Sequence, residues 1–162
     1  MYANVQISPD CTGLNSGSDF NYSLRKCGDV KKILIVDDSQ LVRSHLRVLI
    51  EGQPELSVCG EAENGREGID EAITLSPDLI VMDLVMPILN GFDASREIKR
   101  LLPSTPVVMF TTLADPLLQN EALGAGVDAV VSKSEGAVAL VSSIKQLCVG
   151  TEIRRPPGTG AK

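Results

Sequence analysis

Tryptophan is absent from this chain, and its other aromatic side chains amount to two tyrosines and three phenylalanines. Flat cofactors are held between such rings, so stacking over a flavin is poorly supplied. Histidine occurs once, as His45, near an apolar helical stripe and with no acid or nucleophile spaced to partner it. That leaves it a structural or partly exposed side chain rather than a catalytic base or phosphocarrier. The four cysteines, Cys11, Cys27, Cys59 and Cys148, form no C-x-x-C pair. Metal knuckles and redox dithiols are therefore unsupported, and a reducing cytoplasmic setting is the simpler reading. No run reaches the roughly 18 apolar residues of a membrane span, and residues 1–30 lack the apolar stretch of a signal peptide. Basic clusters stop at pairs such as Lys31-Lys32 and Arg154-Arg155, against a net charge of −6. Binding nucleic acid through phosphates needs more than that.

What the chain does have is a series of short apolar runs, each ending on a polar residue of a different kind. Ile33-Leu34-Ile35-Val36 meets Asp37-Asp38, Leu79-Ile80-Val81-Met82 meets Asp83, and Val107-Val108-Met109-Phe110 meets Thr111. Val127-Asp128-Ala129-Val130-Val131-Ser132 arrives at Lys133. Such runs, bounded by turn signals, read as strands buried on both faces of a parallel sheet. A weaker strand, Leu56–Gly60, completes five.

Helical patterns follow each strand. Ser39 is placed to cap a helix carrying Leu41, Val42, Leu46, Leu49 and Ile50, which Gly52 and Pro54 close. Asn64-Gly65 opens one with Ile69, Ala72, Ile73 and Leu75 on one side, and Asn90-Gly91 opens one with Phe92, Ile98, Leu101 and Leu102. Asp115-Pro116 opens a fourth with Leu117, Leu118, Ala122 and Leu123, and the last covers roughly 135–148. Five alternations imply right-handed βαβ units, an α/β doubly wound (βα)5 fold of flavodoxin-like order 2-1-3-4-5. The domain expected is 31–150, between a Ser/Asn/Gly-rich flexible leader over 1–30 and a short tail over 151–162.

In this topology ligands sit beyond the carboxyl ends of the strands, at the point where strand order reverses. Asp37, Asp38 and Asp83 then share one rim with Thr111 and Lys133. Two like charges about 4 Å apart repel by about 4 kcal/mol at an effective dielectric near 20. Such a cluster protonates, spreads or recruits a cation. Mg²⁺ (or Mn²⁺) suits it, since a hard cation takes one or two carboxylates and welcomes phosphate oxygens. Given a phosphoryl group, Asp83 has the chemistry of a carboxylate nucleophile, with the cation and Lys133 to neutralise the oxygens. Taken singly, each residue has a bland reading: a turn acid, a β-branched strand residue, a surface lysine. Only their joint order along the chain makes a site.

The stretches I-L-I-V-D-D-S (33–39), V-M-D-L-V-M-P-I-L-N-G (81–91), V-V-M-F-T-T (107–112) and V-V-S-K-S (130–134) together resemble the receiver domain of two-component response regulators. G-E-A-E-N-G-R-E-G (60–68) is most similar to receivers that precede LuxR-type helix-turn-helix domains, although the Arg154-to-Lys162 tail is too short for one and none is expected here. The resemblance implies phosphorelay signalling rather than enzymatic turnover, with Asp83 as phosphoacceptor. Asp38 and Asp83 become metal ligands, Asp37 acts through metal-bound water, and Val85 offers its backbone carbonyl. Lys133 and Thr111, with Thr112 beside it, are implied to hold the phosphoryl group. Movement of Thr111 would reshape the face of the fourth helix, fifth strand and fifth helix. The implied partners are a sensor histidine kinase or phosphotransfer protein and a downstream protein effector, with homodimerisation through that face left open. A free-standing receiver is the expectation.

Two positions depart from the family pattern. Val130 stands where many receivers carry a switching Tyr or Phe. Ser134 stands where many have a Pro with a cis bond, so the loop there is expected to be shaped differently or strained. In the family the positions of Val85 and Leu113 flank the route for hydrolytic water, so the resemblance implies that this apolar pair slows phosphate loss. The competing reading is a phosphatase forming an aspartyl phosphate, similar to haloacid-dehalogenase hydrolases. Those need an acid two residues after the nucleophile, where this chain has Val85.

Overall fold

The computed structural model describes residues 30–113 and 115–152. The expected leader (but for Val30) and all but two residues of the expected tail lie outside them, as do Cys11 and Cys27. Along the chain run β1 (Lys31–Val36), α1 (Gln40–Glu51), β2 (Leu56–Ala62), α2 (Gly65–Leu75), β3 (Leu79–Met82), α3 (Gly91–Leu101), β4 (Val107–Thr111), α4 (Pro116–Gly124), β5 (Ala129–Ser132), a 3₁₀ turn (Lys133–Glu135) and α5 (Gly136–Glu152). All strand pairs are parallel, in the order β2-β1-β3-β4-β5. The expected fold class and strand order are therefore those observed. No helix among the described residues is long and apolar enough to cross a membrane.

The unbroken apolar runs have a direct cause. Side chains alternate across a strand, and both faces of this sheet are covered. Ile33 and Ile35 pack with Leu46 and Ile50 of α1 and Leu140 and Ile144 of α5. Leu34 and Val36 pack on the other face with Ile69 and Ala72 of α2 and Ile98 of α3. A third cluster, with Leu84, Phe92, Met109, Ala122 and Val127, seats α4.

Helix starts follow the capping residues. Ser39 Oγ accepts from Val42 N at 3.5 Å, Asn64 Oδ1 from Glu67 N at 3.0 Å, Asn90 Oδ1 from Asp93 N at 3.0 Å and Asp115 Oδ1 from Leu117 N at 2.9 Å. Each satisfies a first-turn N–H that the helix itself leaves unpaired.

Several details differ from the sequence reading. β2 extends to Ala62, because a bulge shifts its register between Ile33 and Leu34 of β1 and carries pairing past Gly60. β5 starts at Ala129, with Val127 spent on the cluster beneath α4. Leu41 is 78% exposed and Ile73 also faces outward, while Arg43 is 6% exposed. The inward stripe of α1 thus contains a cation, because Arg43 finds three acceptors there. After β5 the described residues contain no cis peptide bond. Ser132 Oγ instead accepts from Ser134 N at 3.2 Å and closes the 3₁₀ turn.

Candidate functional site

The carboxyl ends of β1 and β3 lie side by side, and the residues that follow them form the pocket. Asp83 N donates to Val36 O at 2.8 Å, locking the two strand ends in register. A glycine is required next to this point. A Cβ on Gly91 would stand 2.3 Å from Asp83 O, so only glycine lets α3 start against the Asp83 backbone.

Asp37, Asp38 and Asp83 each present a carboxylate oxygen, all within 4.8 Å of one another. Asp37 is buried and held at every polar atom. Its N–H donates to Ala62 O at 3.1 Å, its carbonyl accepts from Arg43 Nη1 at 2.7 Å, Oδ1 accepts from Ser39 N at 2.9 Å and Oδ2 from Lys133 Nζ at 2.8 Å. Asp83, also buried, accepts from Leu84 N through Oδ1 at 2.7 Å and from Lys133 Nζ through Oδ2 at 3.1 Å. Asp38 is exposed. The Lys133 ammonium lies 5.8 Å from the centre of the Phe110 ring, which supports it from below through the electron-rich face.

Burial raises the proton affinity of the Asp83 carboxyl, with nearby Asp37 adding to the effect; Lys133 and the Leu84 N–H oppose it without cancelling it. Burial works against the charge on Lys133, but its hydrogen bonds to Asp37 and Asp83 prevail and hold its pKa above the ordinary lysine value. Three carboxylates crowd together here, and the one ammonium bonds two of them, Asp37 and Asp83. Each like-charge pair at such spacing costs about 3 kcal/mol at an effective dielectric near 20. A set of hard oxygen donors with an excess of negative charge fits a divalent cation of the Mg²⁺ kind.

Four expected site residues therefore come together: Asp37, Asp38, Asp83 and Lys133. Thr111 ends β4 and is buried, but its hydroxyl accepts from Leu113 N at 3.2 Å rather than meeting the carboxylates. Thr112 is exposed on the same loop. Val85 is 60% exposed and Leu113 is exposed too, while Val130 is half-buried against the Leu84–Phe92–Met109 cluster. Sequence reasoning missed Arg43 and Phe110. Arg43 sat unremarked on the apolar stripe of its own helix, and its acceptors Glu61, in β2, and Glu63, just past it, come from a different element.

The chain matches the response regulator receiver domain over residues 33–145. It is 34% identical over 125 residues to the response regulator protein VraR of Staphylococcus epidermidis. That alignment takes in 77% of this chain and 60% of the relative, so the chain spans about three fifths of the length of the curated relatives it matches. Among solved structures, the response regulator domain of Thermotoga maritima CheB superposes with a TM-score of 0.70 at 35% identity, covering 74% of this chain and 96% of that one. A two-component response regulator of the LuxR family from Aurantimonas gives a TM-score of 0.73 at 31% identity, covering 75% and 87%. LuxR-family relatives agree with the likeness of residues 60–68 to that subfamily. No finding favours the hydrolase alternative, and Val85 brings no proton-transferring group to the pocket. The chain belongs to the receiver domains of two-component response regulators, a signalling module of phosphorelays rather than a classical enzyme.

Proposed function

We propose that Asp83 is the phosphoacceptor of this receiver. The observation that carries the proposal is the shared ammonium: Lys133 Nζ lies 3.1 Å from Asp83 and 2.8 Å from Asp37, ready to offset charge on an incoming phosphoryl group. One Asp83 carboxylate oxygen forms the new bond to phosphorus. The bond from phosphorus to the donor nitrogen breaks, and the departing imidazole of the donor takes up a proton.

Asp38 and Asp83, with the Val85 carbonyl, are the proposed ligands for Mg²⁺ or Mn²⁺, and Asp37 acts through bound water. A cation there supplies neutralisation of phosphoryl oxygens. Lys133 holds one such oxygen. Thr111, with Thr112 beside it, receives another when its hydroxyl leaves Leu113 N. The proposed setting is the cytoplasm, with a sensor histidine kinase or phosphotransfer protein as donor and self-phosphorylation from small phosphodonors as a side activity. The proposed output is a protein contact through α4, β5 and α5. Exposed Leu117 and Leu123 on α4 and Val138 on α5 support that face.

The test is uptake of label from phosphoramidate in Mg²⁺. The full chain should be labelled, and Asp83→Asn should lose at least about 100-fold of it. Equal labelling of the two proteins would end the assignment.

A further inference from the structure

Arg43 is the one buried cation among the described residues, and the chemistry above does not use it. Its guanidinium spends three of its five N–H groups on three acceptors from two strand ends. Nη1 donates to Asp37 O at 2.7 Å, Nε to Glu61 Oε2 at 3.2 Å and Nη2 to Glu63 Oε1 at 2.9 Å. Glu61 is itself held by Arg47 Nε at 2.6 Å, and Arg47 by Glu51 at 2.9 Å, so the fork rests on a fixed base.

The acceptor that matters is the Asp37 carbonyl. It belongs to the peptide plane joining Asp37 to Asp38, and the tilt of that plane directs the Asp38 Cα–Cβ bond. Asp37 has other restraints on its N–H and both carboxylate oxygens. The Asp38 side chain has none from the described residues, yet it keeps an oxygen within 4.8 Å of those of Asp37 and Asp83. The backbone behind it is therefore what aims it, and two bonds hold that backbone: Ser39 N to Asp37 Oδ1 across the turn, and Arg43 Nη1 directly on the carbonyl of the Asp37–Asp38 peptide.

We propose that Arg43 is a positioning residue for the cation pocket: by fixing the Asp37–Asp38 peptide it keeps the exposed Asp38 carboxylate converged on Asp83. The inference rests on the reading of the acidic pocket as a divalent cation site. Groups behind metal ligands commonly change affinity by about 10- to 100-fold when removed.

The full chain is titrated with Mg²⁺ by calorimetry, as parent, Arg43→Met and Arg43→Lys, with melting in EDTA confirming that each is folded at the titration temperature. Arg43→Met should bind Mg²⁺ about tenfold more weakly. Arg43→Lys keeps the charge but loses the fork, and should fall between. A charge effect alone has the opposite sign, since removing a cation near the pocket tightens Mg²⁺. A merely structural role lowers the melting temperature and leaves the affinity alone. Unchanged or tighter binding in the folded variants overturns the proposal while the cation reading stands. If Arg43→Met fails to fold, Arg43→Lys at parental affinity is sufficient to overturn it. A parent that binds no Mg²⁺ overturns both.

Discussion

Asp83 is a carboxyl group under opposing pressures, and its titration makes them measurable. Burial and the neighbouring Asp37 raise its folded-state pKa above the value in an unfolded chain. The folded protein then keeps a proton that the unfolded chain has released, so the protonated form favours folding. That contribution is complete below the unfolded carboxylate pKa of about 3.9 and is lost as pH rises through the raised folded value. In EDTA, the melting temperature of Asp83→Asn minus that of the parent should therefore grow as pH increases from about 4 towards neutrality. A flat difference would contradict the assignment. Lys133, whose folded pKa is also raised, stabilises fully at neutral pH and loses that effect only as pH climbs through its folded value. A second residue-scale expectation concerns Val85 and Leu113, both exposed, the first two residues beyond Asp83 and the second two beyond Thr111. Replacing them with Asn and Gln should shorten the lifetime of the phosphorylated protein severalfold, read as loss of label after the donor is removed. Identities at strand ends were legible in the sequence because each polar residue interrupts an apolar run. Arg43 was not, because a cation becomes core-compatible only when acceptors from other elements surround it.

The β3–α3 connection stores strain that no periodicity signals. Ile88, a β-branched residue, sits at φ 69° and is 81% exposed. Leu89 N donates to Pro87 O at 2.7 Å across it, which makes a three-residue turn with positive φ at its centre. Such a conformation costs a β-branched residue about 1–3 kcal/mol. Asn tolerates positive φ far better, and the exposed Ile side chain contributes little burial. Ile88→Asn should raise stability by about 1 kcal/mol in denaturant melts, with the slope unchanged. The five strands and five helices were legible because each run matches one period and ends at a capping or turn residue. Leu41 and Ile73 were misplaced by the same logic. Both lie next to a true inward position, and an apolar residue adjacent to a stripe looks identical whether it faces in or out. The length of β2 depended on a bulge, which is a property of two strands and is written in neither alone.

At the scale of the molecule, the sheet order was legible from alternation plus the acid pair, since only one common order brings Asp37 and Asp83 to adjoining strand ends. The state of the pocket was not, because Thr111 bonding Leu113 N and Lys133 bonding two acids are choices of geometry, not of sequence. If the pocket binds Mg²⁺ only when assembled, the ion couples to global stability. At about 100 times its dissociation constant it should stabilise the fold by about 2.7 kcal/mol, a rise of several degrees in melting temperature that EDTA reverses. Asp38→Asn should blunt that rise and itself melt somewhat higher in EDTA, because it removes an exposed, unpaired carboxylate that lies close to two others among the described residues. Lys133 also has a mechanical meaning. It is rooted just past β5, at the perimeter of the sheet, yet its tip rests on the acids that follow β1 and β3, having passed over the end of β4. A change of charge beside those acids would thus be felt directly at the margin, through the side chain that spans the distance.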